Sequence, residues 1–174
     1  WYMVYNVTNP GKTMQRVQQP GGTYKIEALQ KDVRFVPEFL LRAQESGKVY
    51  PDRVIPVAMA AIQLREDPGR RFYNTAEMIR TIKVGESVWG VATWENVDPQ
   101  IDRFSVYVKG LTNAYRWRDS QAAYKPGDPV SGRRLGVKTL KLNFWRPGDE
   151  YFEHEDEIRL GIPGQPDYQW VYLF

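Results

Sequence analysis

An alternation of period two, recurring in short segments along most of the chain, constrains this sequence more than any other feature. VGESVWGVATW, residues 84–94, shows it most fully. Val84-Gly85-Glu86-Ser87 can turn, because Gly85 accepts a positive φ. Beyond the turn, Val88, Gly90, Ala92 and Trp94 share one face of an extended segment, and Trp89, Val91 and Thr93 share the other. Apolar residues on both faces predict a central strand covered on each side. Small Gly90 and Ala92 leave room for a large neighbour to lie across the strand, and the insertion at 51–75 is the expected cover.

The same period marks other segments. WYMVYNVT (1–8) reads as a strand stopped by Asn9-Pro10-Gly11, and TYKIEAL (23–29) as another. The polar stretch 11–22, with QQPGG, reads as a turn or hairpin tip. VRFVPEFLL (33–41) is strand-like, and Pro37 in it argues for an edge or a bulge. A glycine turn and a short strand follow over 45–56. VAMAAIQLRED (57–67) is the one helical segment: Val57, Ala60, Ala61 and Leu64 fall at helical spacing, Pro56 suits a first turn and Pro68-Gly69 ends it. Strands are expected at 76–83, 87–95, 102–109, 137–145, 157–163 and 168–174, with a long loop rich in Pro, Gly and charge over 119–136. About nine strands and one short helix, with turn signals at sandwich-like spacing, predict an all-β fold: a β-sandwich forming a single domain over 1–174.

Composition excludes more than it selects. Aromatics make up 14% of the chain and apolar residues 42%, enough for a packed core. With no cysteine, thiolate metal sites, cysteine nucleophiles and disulfides are ruled out. A net charge of +3 from 24 basic and 21 acidic residues is too balanced for a polyanion binder, so no nucleic-acid partner is expected. No apolar run is long enough for a transmembrane helix. Trp1 rather than methionine opens the chain, so a processed end or a cut from something longer is expected. Asn6-Val7-Thr8 matches a glycosylation acceptor pattern.

Three stretches, VYNVTNPGK, FVPEFLLRAQESGKVY and IKVGESVWGVATWENV, occur in an order that resembles the telokin-like, immunoglobulin-fold domains of bacterial surface lipoproteins and secreted antigens. The matching residues are Asn9, Gly47, Lys48, Tyr50, Gly85, Glu86, Gly90 and Trp94, within 1–111; residues 112–174 have no counterpart in it. The resemblance implies an immunoglobulin-like β-sandwich that is exported and non-catalytic, here with a helical insertion and a C-terminal strand extension. It brings no catalytic site with it.

Two constellations could carry chemistry. GDEYFEHEDEI (148–158) holds Asp149, Glu150, Glu153, Glu155, Asp156 and Glu157 around His154, the only histidine. Hard cations take carboxylate ligands, so Asp149, Glu153, Glu155 and Glu157 are calcium candidates; the alternative is a solvated segment paired with Arg and Lys. In an extended strand Glu153, Glu155 and Glu157 share a face, where like charges repel unless a cation or arginines intervene. No triad, P-loop or metalloprotease motif is present. In AYRWRD (114–119), Tyr115 and Trp117 alternate with Arg116 and Arg118. The bland reading is an aromatic core face and an arginine face opposing the acidic segment; the sharper one is a platform for a sugar ring. In DYQWVYLF (167–174), Gln169, Val171 and Leu173 alternate with Tyr168, Trp170, Tyr172 and Phe174, so the strand is either central or docked on a partner.

Together these features predict a non-catalytic structural or protein-interaction module, extracytoplasmic, in a bacterial cell envelope or a larger assembly. Tyr115, Arg116, Trp117, Arg118, Trp170, Tyr172 and Phe174 are its expected interface, with a protein partner or self-assembly. A carbohydrate-binding module taking polysaccharide on exposed Trp and Tyr is the alternative, and a metal-dependent enzyme is third. No cofactor is expected other than calcium.

Overall fold

The computed structural model of the chain describes residues 1–119, 124–125, 132–147 and 157–174. In chain order the elements are β1 (Tyr2–Thr8), β2 (Thr13–Gln18), β3 (Tyr24–Leu29), β4 (Val33–Phe35), β5 (Glu38–Ala43), β6 (Val49–Pro51), α1 (Pro56–Glu66), β7 (Tyr73–Asn74), β8 (Arg80–Ile82), β9 (Ser87–Thr93), β10 (Arg103–Lys109), β11 (Tyr115–Asp119), β12 (Arg133–Trp145), β13 (Arg159–Leu160) and β14 (Tyr168–Leu173). The chain is mostly strand, with one short helix, as the alternation predicts. It forms two compact units, Trp1–Val36 with Arg53–Thr93, and Pro37–Asp52 with Trp94–Phe174.

In the first unit β9 is central, antiparallel to β1 and parallel to β7. Its two faces are covered, and by different elements. Val91 packs with Ile62 of α1 and Phe72, joined by Trp89, Val4, Ala58 and Met59. Val88 packs on the other face with Phe35, Met78 and Ile82, joined by Tyr5, Val7 and Tyr73. The large neighbour that the small residues of β9 anticipate is Tyr5, which lies opposite Gly90. A Cβ on Gly90 would come within 2.4 Å of the Tyr5 ring, so the ring occupies the space a side chain would take.

Asn9 anchors the turn before β9. Its Nδ2 donates to the Lys31 and Ile82 carbonyls, both at 3.0 Å, and its Oδ1 accepts from the Gly11 N–H at 3.0 Å. Its own N–H donates to Glu86 O at 3.1 Å, and its carbonyl accepts from Gly85 N–H at 2.8 Å. Gly85 takes φ +79°, the left-handed conformation that a side chain would strain. One buried asparagine thus ties β1 to the β8–β9 turn, and the reason for Asn9, Gly85 and Glu86 is structural.

The structure departs from the expected boundaries in five places, each for a local reason. Residues 13–18 are a strand rather than a turn, because β2 and β3 form a separate antiparallel hairpin closed at Gln19–Thr23. Pro37 marks neither edge nor bulge: the strand breaks there into β4, paired with β8, and β5, which lies between β10 and β6. The strand expected at 76–83 shrinks to β8, because Asn74 and Glu77 exchange side-chain-to-backbone bonds at 3.0 Å each. That capping box closes a helical turn instead. Helix α1 buries the Ala58–Met59–Ile62 stripe, not Val57 and Leu64, which are 85% and 71% exposed. The bulkier stripe wins, and Gln63 beside it is bonded to Asp67 O, Arg70 O and Phe72 N–H. Finally, the loop ends early, since β12 starts at Arg133.

The second unit is a single sheet of seven strands. By register Ala43, Leu41 and Phe39 face Phe104, Val106 and Val108 across β5 and β10, and all six are buried. The opposite face carries a buried polar row: Ser105 Oγ donates to Asn143 Oδ1 at 2.8 Å, Gln44 Nε2 donates to Ser105 Oγ at 3.1 Å, and Asn143 Nδ2 donates to Pro166 O at 2.7 Å.

Replacing Asn9 with Ala takes the side-chain partner from the buried Ile82 carbonyl, the part-buried Lys31 carbonyl and the Gly11 N–H, so a loss of about 2–4 kcal/mol is expected from the denaturant midpoint. Gly90→Ala forces the Tyr5 ring aside and should cost about 1–3 kcal/mol as overpacking, a loss that Tyr5→Ala in the same chain reduces.

Candidate functional site

Strand β12 is 13 residues long and pairs along both edges. Residues Val137 to Leu142 pair with β14, while Leu140 to Trp145 pair with β10 and Arg133 to Val137 with β11. Leu140 has partners in both β10 and β14, and Val137 has partners in both β11 and β14, so β10 and β11 follow one another along one edge and β14 occupies the other. Past the end of β10, β12 is flanked by β11 over Arg133 to Val137 on one edge and by β14 from Val137 onward on the other, the two meeting at Val137. Among the described residues neither outer edge of this end is paired.

Alternation then sorts the side chains. On one face lie Arg116 and Arg118 of β11, Arg134, Gly136 and Lys138 of β12, and Tyr168, Trp170 and Tyr172 of β14, followed by Phe174. Each of three cations lies over a ring: Arg118 over Phe174 at 4.0 Å, Arg116 over Tyr172 at 4.4 Å and Lys138 over Trp170 at 5.0 Å from the ring centre. An arginine on β11 reaches a ring on β14 only by crossing β12, and Gly136 opens that crossing. A Cβ there would stand 2.6 Å from the Phe174 ring. This is a ladder of cations and aromatics two residues apart. Tyr168, Trp170 and Phe174 remain 61%, 44% and 43% exposed.

The charges on this face are one-sided. None of its residues is acidic, and among the described residues Arg116, Arg118, Arg134 and Lys138 have no carboxylate partner. Arg118 and Arg134 stand directly opposite each other across β11 and β12. Like charges so placed repel.

Tyr115 and Trp117 lie on the other face, edge to face, with rings 6.2 Å apart at 82°. They are 60% and 45% exposed, so an aromatic core face on β11 is not what forms; among the described residues β11 is the last strand of the sheet on that side. Arg133 lies over Trp117 at 4.9 Å and over Tyr124 at 4.0 Å, and its Nε donates to Asp119 at 2.8 Å. The Tyr124 backbone N–H, donating to Asp119 at 3.1 Å, holds that carboxyl below its ordinary pKa, and the Arg133 guanidinium adds to the effect.

The seven interface residues expected from the sequence thus meet at one end of the sheet, on two faces rather than one. Strand β14 is not central, since it pairs with β12 alone. Comparisons with protein-family models, curated proteins and solved structures gave no match.

Gly136 and Lys138 went unnoticed in the sequence, and Arg134 stood out only as one of several scattered basic residues, although the alternation Arg134, Gly136, Lys138, Leu140 puts them on one face of a single strand. Of the calcium candidates, Asp149, Glu153 and Glu155 lie outside the described residues, as does His154. Glu157 is exposed and accepts from Arg159 at 3.1 Å. Among the described residues no three or more His, Cys, Asp or Glu gather to hold a metal, and no helix is long and apolar enough to cross a membrane. Asn6 of the acceptor pattern sits within β1, opposite Trp89.

Because the Asp119 carboxyl titrates low in the folded chain, its contribution to stability is present above the ordinary carboxylate range and is lost as pH falls through the folded value. Carbon-detected NMR titration should place its midpoint below the ordinary aspartate value of about 3.9. Arg133→Gln should move it only part of the way back, since the Tyr124 N–H remains.

Proposed function

We propose that this chain is a non-catalytic interaction module that presents the β11–β12–β14 end of its larger sheet to a protein partner. The observation that carries the reading is the ladder itself: exposed rings capped by arginine and lysine, on strands whose outer edges are unpaired. Aromatic residues and arginine are the side chains that most often anchor protein interfaces, because each covers much area for few rotors and keeps a polar end. A rigid strand scaffold holds them in place before binding, which lowers the ordering cost of association.

We further infer an immunoglobulin-like sandwich arrangement, placed outside the cytoplasm in a bacterial envelope or larger assembly. The resemblance carried by Asn9, Gly47, Lys48, Tyr50, Gly85, Glu86, Gly90 and Trp94 supports that part, together with the absence of cysteine. Calcium binding by the 149–157 carboxylates is compatible with this reading and rests on their chemistry alone.

A polysaccharide-binding module is the second reading, favoured by the exposed Tyr168, Trp170 and Phe174 rings on one face. Two observations weigh against it. The Tyr115 and Trp117 rings are nearly perpendicular, and the Trp170, Tyr172 and Phe174 rings each already carry a cation over one face.

The test compares the immobilised chain with its Trp170→Ser/Tyr172→Ser variant as bait for proteins of the source cell. The reading expects a protein retained by the first and lost by the second, with no change in tryptophan fluorescence on adding cellulose, chitin or mannan. Identical retention by both baits would refute it, and a saturable fluorescence response to one polysaccharide would transfer the site to the second reading.

A further inference from the structure

We propose that the partner of the ladder is an extended polypeptide with a carboxylate at every second residue, which pairs with the outer edge of β14. This rests on the reading of the β11–β12–β14 end as a docking surface, and it adds the partner's chemistry and register.

The edge supplies the first argument. Exposed edge strands are ordinarily guarded by charge, proline or a bulge, because their free N–H and C=O groups invite another strand. Strand β14, YQWVYL, carries no charge, no proline and no glycine, and it pairs with β12 over its whole length without interruption. It is an edge of strongly β-forming residues without those guards. Such an edge accepts a strand by main-chain hydrogen bonds, whose donors and acceptors only a polypeptide matches.

Charge supplies the second. Arg116, Arg118, Arg134 and Lys138 share the ladder face with no acid among its residues, and Arg118 opposes Arg134 directly. A cation stacked on a ring keeps its full charge, and a stacked guanidinium still has N–H groups at its rim for a carboxylate. An incoming anion therefore relieves repulsion and finds donors already held in place.

Register joins the two. Lys138, Arg116 and Arg118 sit over Trp170, Tyr172 and Phe174, one cation for every second residue along the strand. A strand added beside β14 would run about 4.8 Å away, with side chains on the ladder face repeating roughly every 6.8 Å. Acids at i, i+2 and i+4 would then each meet one cation. Nucleic acid fits less well, because its bases would compete for the Trp170, Tyr172 and Phe174 ring faces that Lys138, Arg116 and Arg118 already occupy.

The probe is a fluorescein-labelled decapeptide of alternating Glu and Thr, titrated with the whole chain and followed by anisotropy. Three controls accompany it: the same ten residues as a Glu block followed by a Thr block, an alternating Lys-Thr peptide, and single-stranded oligothymidylate. The alternating acidic peptide should bind saturably, lose affinity as salt rises, and lose about tenfold or more in the Arg116→Gln/Arg118→Gln variant. Both arginine side chains are exposed, so the variant is expected to fold, and its thermal transition checks this. Hydrogen exchange should show new protection at Tyr168–Leu173 in the complex.

Absence of saturable binding, equal affinity for the block peptide, tighter binding of oligothymidylate, or protection confined to other strands would each overturn the proposal. If the acidic peptide fails while the Trp170→Ser/Tyr172→Ser bait still loses a captured protein, the docking surface stands and the acidic strand is wrong. If both fail, the surface itself is wrong.

Discussion

Strand β12 is longer than the core it serves, and the architecture of the larger unit depends on that mismatch. Thirteen residues at about 3.4 Å each span roughly 44 Å. Only the half from Leu140 to Trp145 is backed by β10, whose own partner β5 continues the sheet. There the apolar rows of β5 and β10 are buried. The other half, from Arg133 onward, has only β11 and β14 beside it. Two short strands flanking a third cannot bury both of their faces, so side chains in this half must hold one another. Arginine over an aromatic ring suits such a place: the stem covers apolar area, the ring receives the charge, and neither group has to leave water altogether. Each exposed contact of this type is worth only about 0.5–1 kcal/mol, but two of them tie β11 to the chain of β14 and its end, and the third ties β12 to β14.

Much of the fold was legible from alternation because burial in a sheet follows parity. The central place of β9, its cover on both faces and the small residues that admit a neighbouring ring were all written in residues 84–94. Tyr5 could not be named in advance, since cross-strand register depends on partners 85 residues apart in the chain. The failures came where local bonding overrode pattern. Asn74 and Glu77 form a capping box inside an otherwise strand-like run. The helical stripes Val57–Leu64 and Ala58–Ile62 have similar spacing, and only the shape of the surface they meet selects between them. Ser105 and Asn143 read as ordinary strand residues on a wet face, yet they are buried and bonded to each other. Polar residues whose partners are polar leave no hydrophobic trace for a pattern to find.

The interface residues were legible as types, and less so as a site. AYRWRD and DYQWVYLF stood out because they concentrate rings and guanidinium groups. What joins them is β12, and its contribution is nearly silent in the sequence. Gly136 matters by what it lacks, and Lys138 is one lysine among many until register places it over Trp170. The division of AYRWRD between two faces was visible from parity, but its consequence was not. An aromatic face needs a neighbouring layer to become a core, and among the described residues β11 stands at the rim of the sheet with its Tyr115 and Trp117 exposed.

Gly90 and Gly136 show how one local device serves opposite ends. Both are strand glycines on which the ring of an adjacent strand rests, closer than a Cβ would allow. At Gly90 the strand is covered on both faces, the Tyr5 ring joins an interior cluster, and the result is packing. At Gly136 the ring of Phe174 stays in contact with solvent and a guanidinium completes it from above. The difference lies in what surrounds the pair. Asp119 on the reverse face neutralises Arg133, which shows that the chain can supply an acid to an arginine at this end of the sheet. On the ladder face, among the described residues, it supplies none, and opposes Arg118 with Arg134 instead. A surface that needed only stability would gain by exchanging one of these two arginines for a glutamate. Keeping both leaves positive charge, already oriented by rings, on the side of the sheet where a strand edge is open.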